Sequence, residues 1–127
     1  MLFRSRYLTG DVPELAAQAA SIIDSVAELS VTDAVLAESA YVLTTVYDVP
    51  REVVVDHLVA FLRKRNVKLH SLEKENAITA LLMCRPSRRV SFVDALIWAA
   101  AYESESKVVY TLDRRFPSDG IEVRIDV

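Results

Sequence analysis

Three acidic residues stand in sequence surroundings that suit the binding of a divalent metal ion. They are Glu38 in Val-Leu-Ala-Glu-Ser, Asp94 in Ser-Phe-Val-Asp-Ala-Leu-Ile and Asp113 in Val-Val-Tyr-Thr-Leu-Asp. Each lies at the edge of an apolar element, where an ionised carboxylate is costly to desolvate unless a positive charge compensates it. A metal ion shared by the three would compensate all of them at once.

The chemistry expected of such a set is hydrolysis of a phosphodiester. Carboxylate oxygens with no histidine nearby in the sequence are hard ligands, which favour Mg²⁺ or Mn²⁺ over Zn²⁺. Magnesium held by carboxylates typically activates a water molecule and stabilises charge during phosphodiester cleavage. Taken singly, each residue also has a structural interpretation, because Asp94 could be a helix N-terminal residue, Asp113 a turn former and Glu38 a solvated helix residue.

Length, composition and charge limit the class of protein. The chain has 127 residues, enough for a single domain over 1–127, and its 52% hydrophobic and 26% charged content is that of an ordinary soluble globular protein. The absence of a membrane-spanning run and of a signal peptide, together with the single cysteine, predicts a cytoplasmic location. The net charge of −3 creates no global positive field, so any nucleic-acid binding must rest on a local basic patch.

Apolar periodicity divides the chain into helices that alternate with short strands. The predicted helices begin at Asp11, at Thr32 or Asp33 (to about Tyr47), at Pro50, at Leu72 (to Cys84) and at Ser91 (to Tyr102), and the predicted strands cover residues 29–31, 67–69, 107–110 and 121–125. The inward residues expected of the second helix are Val35, Leu36, Val42, Leu43 and Val46. This alternation predicts an α/β domain with a short parallel sheet flanked by helices. Residues 1–3 are a short apolar stub, interpreted as the end of a strand.

The predicted elements bring the three acids to one edge of the sheet. Asp113 follows a strand, at the carboxyl end where open α/β sheets build their sites. Asp94 falls in the first turn of its helix, and Glu38 lies mid-helix on or near the buried stripe. We therefore expect the three carboxylates to converge within roughly 4–9 Å. In the absence of metal, such crowding is expected to raise the pKa of at least one of them.

Together these motifs resemble the PIN-domain family, and in particular the VapC-type toxins of toxin–antitoxin pairs. The resemblance covers essentially the whole chain: residues 6–14 resemble the segment after the first strand, 31–39 the second-acid helix, 91–97 the third-acid motif and 110–116 the fourth. It implies a PIN-like three-layer fold and a Mg²⁺- or Mn²⁺-dependent ribonuclease with Glu38, Asp94 and Asp113 as catalytic metal ligands. It also implies that the Thr111 hydroxyl supports the site by hydrogen bonding, and that the partners are an RNA substrate, an antitoxin and a second copy in a homodimer.

The resemblance departs from the family pattern at the start of the chain. PIN domains begin with a strand that ends in Asp-Thr-Asn or Asp-Ser-Asn, and residues 1–4 match the segment directly after that triplet, so the lead aspartate is expected upstream of Met1. The resemblance therefore implies that the N-terminal strand is truncated. Three explanations stay open: a start codon chosen too late, a degraded inactive gene copy, or a natural non-catalytic variant. The first leaves an enzyme that is active in a longer form, and the others leave an inactive module that binds itself or an antitoxin. A second departure is Ser91, where relatives often carry another acid.

Four arginines flank the third and fourth acids in the sequence. These candidates for holding RNA phosphates beside the metal are Arg88, Arg89, Arg114 and Arg115. The alternative is that they are ordinary solvated loop charges.

Two further residues are predicted to be structural, and one other fold is disfavoured. Cys84 is expected to be a small buried residue, and Trp98 is expected to pack in the core rather than stack on a base. A receiver-like phosphoacceptor domain also groups acids around Mg²⁺, but its middle strand should close on an aspartate. The middle strand at 67–69 is followed by His70, which disfavours that alternative.

Overall fold

The computed structural model describes residue 21 and residues 24–125. The elements that lie within these residues are β1 (Leu29–Thr32), α1 (Asp33–Thr45), α2 (Arg51–Leu62), β2 (Val67–His70), α3 (Lys74–Met83), α4 (Phe92–Glu103), β3 (Val108–Tyr110) and β4 (Glu122–Arg124). Every element predicted in this part of the chain is present, with its ends shifted by a few residues. Most of the predicted helix at Asp11 and all of the strand stub at residues 1–3 lie outside the described residues, while residues 21, 24 and 25 of that helix are helical. No helix in the described part is long and apolar enough to span a membrane.

The strands pair in parallel, as the alternation of helices and strands predicts. β1 pairs with β2, and β3 pairs with β4, so that the described residues form two two-stranded sheets rather than one continuous sheet. The chain passes from β1 to β2 through α1 and α2, the kind of helical crossover that parallel neighbours require. The connection from β3 to β4 is different, because residues 111–121 contain no helix or strand. The α/β class is confirmed, and the loop at 111–121 carries one of the three candidate acids.

The core is densest where α3 and α4 pack against each other. Small residues on both helices allow the two backbones to approach closely, since the side chains at a contact set the distance between helix axes. The alanines with no exposed surface on this pair of helices are Ala77, Ala80, Ala95 and Ala99. Phe92, Leu96 and Trp98 add the bulk of the buried surface on α4. The helix that carries Asp94 is therefore fixed by the main core of the domain.

One face of α1 packs against the rest of the described structure, and it is narrower than predicted. Leu36 and Ala40 are 1% and 0% exposed, and they stack one turn apart on the face that meets α2 and α4. Val35 and Val46 were predicted to face inward, but they are 51% and 61% exposed. The prediction was wrong because neighbouring helix positions differ by about 100°, and the packed face is centred on Leu36. Glu38 is also exposed, rather than near the buried stripe.

Candidate functional site

Asp94 is positioned by a local capping arrangement at the start of α4. Ser91 has extended backbone geometry at the N-cap, and its Oγ accepts a hydrogen bond from the backbone N–H of Asp94 at 3.0 Å. The half-buried Asp94 therefore sits in the first turn, where the helix dipole stabilises its negative charge. Burial raises the pKa of the nearby Cys84 thiol to about 11, and the charge of Asp94 adds to the increase. Cys84 is buried, as predicted, and its high pKa keeps it a neutral thiol.

Asp113 is held by short-range hydrogen bonds directly after β3. The backbone N–H of Thr111 donates to the carbonyl of Arg124 at 2.9 Å, which extends the pairing of β3 with β4. The Thr111 Oγ1 accepts a hydrogen bond from the Asp113 N–H at 3.1 Å, and the Asp113 Oδ1 accepts one from the Arg115 N–H at 2.8 Å. The second contact is an Asx turn. The Thr111 hydroxyl thus supports the backbone of Asp113, while its part in catalysis stays a prediction.

The rest of the loop at 111–121 contacts the core or α4 at three points. The side chain of Phe116 is only 7% exposed. The indole Nε1 of Trp98 donates to the carbonyl of Asp119 at 2.8 Å, and the ring stacks on Tyr102 at 5.2 Å between centroids. Gly120 has φ +73° and lies so close to Tyr102 that a Cβ would stand 2.8 Å from the ring. The core role predicted for Trp98 is confirmed, and it positions the loop that carries Asp113.

The charge nearest to Asp113 is that of an arginine. The pKa of Asp113 is lowered, first by the hydrogen bond from the Arg115 backbone N–H and then by the Arg115 guanidinium, whose Nε lies 3.4 Å from Oδ1. This direction is opposite to the rise expected for a carboxylate crowded by like charges. The reason is that the Asp113 carboxylate faces its own turn and a cation, both of which favour the ionised form.

Replacing Arg115 with alanine is expected to raise the pKa of Asp113 part of the way toward its ordinary value. The increase is partial because the backbone N–H, the larger cause, remains. A depressed folded pKa contributes stability above the unfolded pKa that is lost as pH falls through the folded pKa, so the variant should lose less stability on acidification. A carbon-detected NMR titration of the carboxyl group measures the shift. Arg114→Ala is the matched control, and an equal change in both variants would contradict the assigned cause.

Glu38, Asp94 and Asp113 are not assembled into one metal site in the described part of the chain. Within residue 21 and residues 24–125, no three side chains of His, Cys, Asp or Glu are grouped so that they could hold a metal ion. Glu38 faces solvent on α1, and Asp113 is turned toward Arg115. Their oxygens are the right kind of donor for a hard cation, but this arrangement does not offer three of them to a single ion. Their assignment as metal ligands remains a prediction.

The four arginines proposed to bind RNA divide between separate places. Arg89 and Arg115 line a cavity of about 360 Å³ beside Phe116. Arg88 lines a different cavity of about 520 Å³, together with Arg51. Arg114 lines neither of these two cavities. The adjacent residues Arg88 and Arg89 thus line different surfaces, because the segment before α4 is a loop with bends rather than a helix.

Arg51 is a residue that the sequence analysis missed. Its Nε donates to the carbonyl of Cys84 and its Nη2 to the carbonyl of Val90, while its guanidinium lies 4.4 Å from the centre of the Phe92 ring. These contacts tie the start of α2 to the segment that precedes α4. One feature of the sequence indicated that Arg51 has a role. A positive charge in the first turn of a helix interacts unfavourably with the helix dipole, so other contacts must compensate for it.

Comparisons with known proteins give one match. No curated protein matches the chain, and no solved structure does. The family model of the PIN domain matches residues 7–118, which is most of the 127-residue chain. The matched span includes α1 with Glu38, the capped start of α4 with Asp94 and the turn with Asp113. The chain belongs to the PIN domain family.

Proposed function

We propose that this protein is a divalent-metal-dependent endoribonuclease of the VapC toxin type. PIN domains are typically metal-dependent nucleases, and the observation that carries the proposal is the PIN match over residues 7–118. The finer assignment to a VapC-type toxin rests on the motif around Asp94 and the motif around Asp113, in their order along the chain and with their flanking residues.

Glu38, Asp94 and Asp113 are the proposed ligands of Mg²⁺ or Mn²⁺. The backbone of two of them is fixed by a local hydrogen bond. The Asp94 N–H donates to the Ser91 Oγ, and the Asp113 N–H donates to the Thr111 Oγ1. Both contacts from Arg115 fall on Oδ1 of Asp113, which leaves Oδ2 without a hydrogen bond from a described residue. Local structure therefore supports the use of these carboxylates as oxygen donors.

RNA is the proposed substrate, and the protein's net charge requires that its phosphates meet local positive charge. The proposed RNA-binding residues are Arg88, Arg89, Arg114 and Arg115, of which three line the cavities of about 360 and 520 Å³. We further propose a cytoplasmic protein that forms a homodimer and binds an antitoxin. Exposed apolar side chains on α1, at its C-cap and on α4 offer contact area for such protein partners, namely Val35, Val46, Val93 and Ile97.

A form of the protein that carries the family's lead aspartate is expected to cleave single-stranded RNA in Mg²⁺ or Mn²⁺ and to stop when EDTA removes the metal. Millimolar Mg²⁺ should also raise the melting temperature, because a ligand that binds only the folded state stabilises it by mass action. An Asp113→Asn variant purified in parallel controls for contaminating ribonuclease and should show neither effect. Cleavage that persists in EDTA or in the variant would count against the proposal.

The second candidate function is that of a PIN-fold binding module without catalysis. It is favoured by one observation, that no three-ligand group exists among residues 24–125. This candidate predicts no cleavage and a melting temperature that is insensitive to millimolar Mg²⁺ or Mn²⁺. Sedimentation measurements would then show self-association that survives in the Asp113→Asn variant.

A further inference from the structure

The cavity that Arg88 shares with Arg51 has the composition of an anion site. It has a volume of about 520 Å³ and lies between the end of α1, the start of α2 and the segment before α4. Its polar lining includes Asp48, Arg51, Arg88 and Ser91, and we call it the Arg51 cavity. It has no lining residue in common with the cavity of Arg89 and Arg115.

We propose that the Arg51 cavity binds a backbone phosphate of the RNA strand, as a second phosphate subsite. This inference rests on the proposed ribonuclease function. It adds Arg51 and Ser91 to the residues that contact the substrate, and it assigns Arg88 and Arg89 to different phosphates.

Arg51 provides a fixed positive charge in the wall of the cavity. Two of its guanidinium nitrogens donate to the carbonyls of Cys84 and Val90, and the group packs on the Phe92 ring. Nη1 donates to no residue in the described part of the chain. Because the side chain is already immobilised, binding an anion beside it costs little further conformational entropy.

Arg88 and Ser91 supply groups that are free to meet a phosphate. Arg88 is exposed and has no hydrogen bond or ion pair with any residue that the structure describes. Its guanidinium can therefore turn onto two phosphate oxygens at once. The Ser91 Oγ accepts a hydrogen bond from Asp94, so its own O–H remains available as a donor.

Asp48 is the acidic residue in the lining, and it provides a sensitive test. Its backbone has φ +53°, a region in which asparagine is among the best tolerated residues. Asp48→Asn therefore removes a negative charge from the cavity without straining the chain. If the cavity holds a phosphate, this variant should bind RNA more tightly.

The test is the affinity of a fluorescently labelled single-stranded RNA with a 5′-hydroxyl, measured by anisotropy in EDTA over a range of salt concentrations. Arg88→Ala should weaken binding about five- to tenfold, with loss of a charge-assisted contact. It should also lower the salt-dependence slope by about 0.7, the value for one phosphate of a single strand. Arg88→Lys should restore the slope but only part of the affinity, because an ammonium cannot make the bidentate contact. Asp48→Asn should tighten binding about two- to fivefold, as removal of a nearby like charge does at low salt.

Arg65→Ala is the matched control, since this exposed arginine lies beyond the far end of the 12-residue α2. It should change the affinity less than about twofold, as a distant screened charge does. If the wild type binds RNA and the Arg88 and Asp48 variants behave like Arg65→Ala, the cavity assignment is overturned while the proposed function stands. If the wild type binds no RNA, both the cavity assignment and the proposed ribonuclease function are overturned. A preference for 5′-phosphorylated RNA that disappears in Arg88→Ala would overturn the assignment to a backbone phosphate in favour of a terminal one.

Discussion

Replacing Asp94 with asparagine, in a form that carries the lead aspartate, is expected to lower the rate of metal-dependent RNA cleavage by at least about a hundredfold, the cost of even a small misplacement of reacting groups. The substitution keeps the shape of the side chain and removes its negative charge. The backbone hydrogen bond from residue 94 to Ser91 is unaffected, so the cap of α4 persists. The loss should therefore appear in activity far more than in stability, where the weakened dipole interaction costs about 0.3–1 kcal/mol.

A matched variant separates a metal ligand from an ordinary helix N-terminal acid. Glu75 occupies the first turn of α3 as Asp94 occupies that of α4, and it is exposed. Glu75→Gln should change stability by a similar small amount and leave cleavage at the wild-type rate. Single-turnover rates and urea unfolding of both variants give the comparison. If Asp94→Asn cleaves RNA as fast as Glu75→Gln, the role of Asp94 is only to complement the helix dipole.

Features that depend on neighbouring residues could be predicted from the sequence. The polar caps Thr32 and Ser91 begin α1 and α4 where the pattern of caps and apolar residues placed them. The turn at Asp113 also needs only residues 111–115, because its hydrogen bonds run between positions two apart. Short-range hydrogen bonds therefore determine the local structure around Asp94 and Asp113, the two motifs that carry the family resemblance most specifically.

Features that depend on which elements meet could not be predicted in this way. Arg51 donates hydrogen bonds to carbonyls 33 and 39 residues away, and the sequence around Arg51 does not indicate which carbonyls these are. The exposed side of α1 is equally non-local, since Val35 and Leu36 are both apolar and only tertiary contact decides which is buried. The same holds for Arg88 and Arg89, which are adjacent in the chain and line separate cavities. Adjacency in the sequence therefore overestimated how closely the four arginines act together.

Trp98 links the stability of the core to the placement of Asp113, and its removal is expected to have the largest effect on stability. Trp98→Ala should lower the free energy of unfolding by about 3–5 kcal/mol, the usual cost of deleting a buried aromatic side chain. The indole is 3% exposed, and it both stacks on Tyr102 and donates to the carbonyl of Asp119. A domain of this kind has about 5–15 kcal/mol of stability, so the variant would be marginally folded. Urea unfolding should be followed by circular dichroism, because the chain has a single tryptophan and the variant loses that fluorescence signal.

Trp98→Phe separates the two contributions of the indole. The phenyl ring keeps part of the packing, but it leaves the Asp119 carbonyl without its donor, at a cost of about 0.5–1.5 kcal/mol, the net value of an ordinary hydrogen bond. Since that carbonyl belongs to the loop at 111–121, amide hydrogen exchange of the loop should quicken in Trp98→Phe more than exchange in α2 does. Ile97→Ala, on the neighbouring 44% exposed position of α4, should cost less than about 1 kcal/mol and leave loop exchange unchanged. Equal exchange in the loops of Trp98→Phe and the wild type would show that Phe116 and Gly120 hold Asp113 in place without the indole.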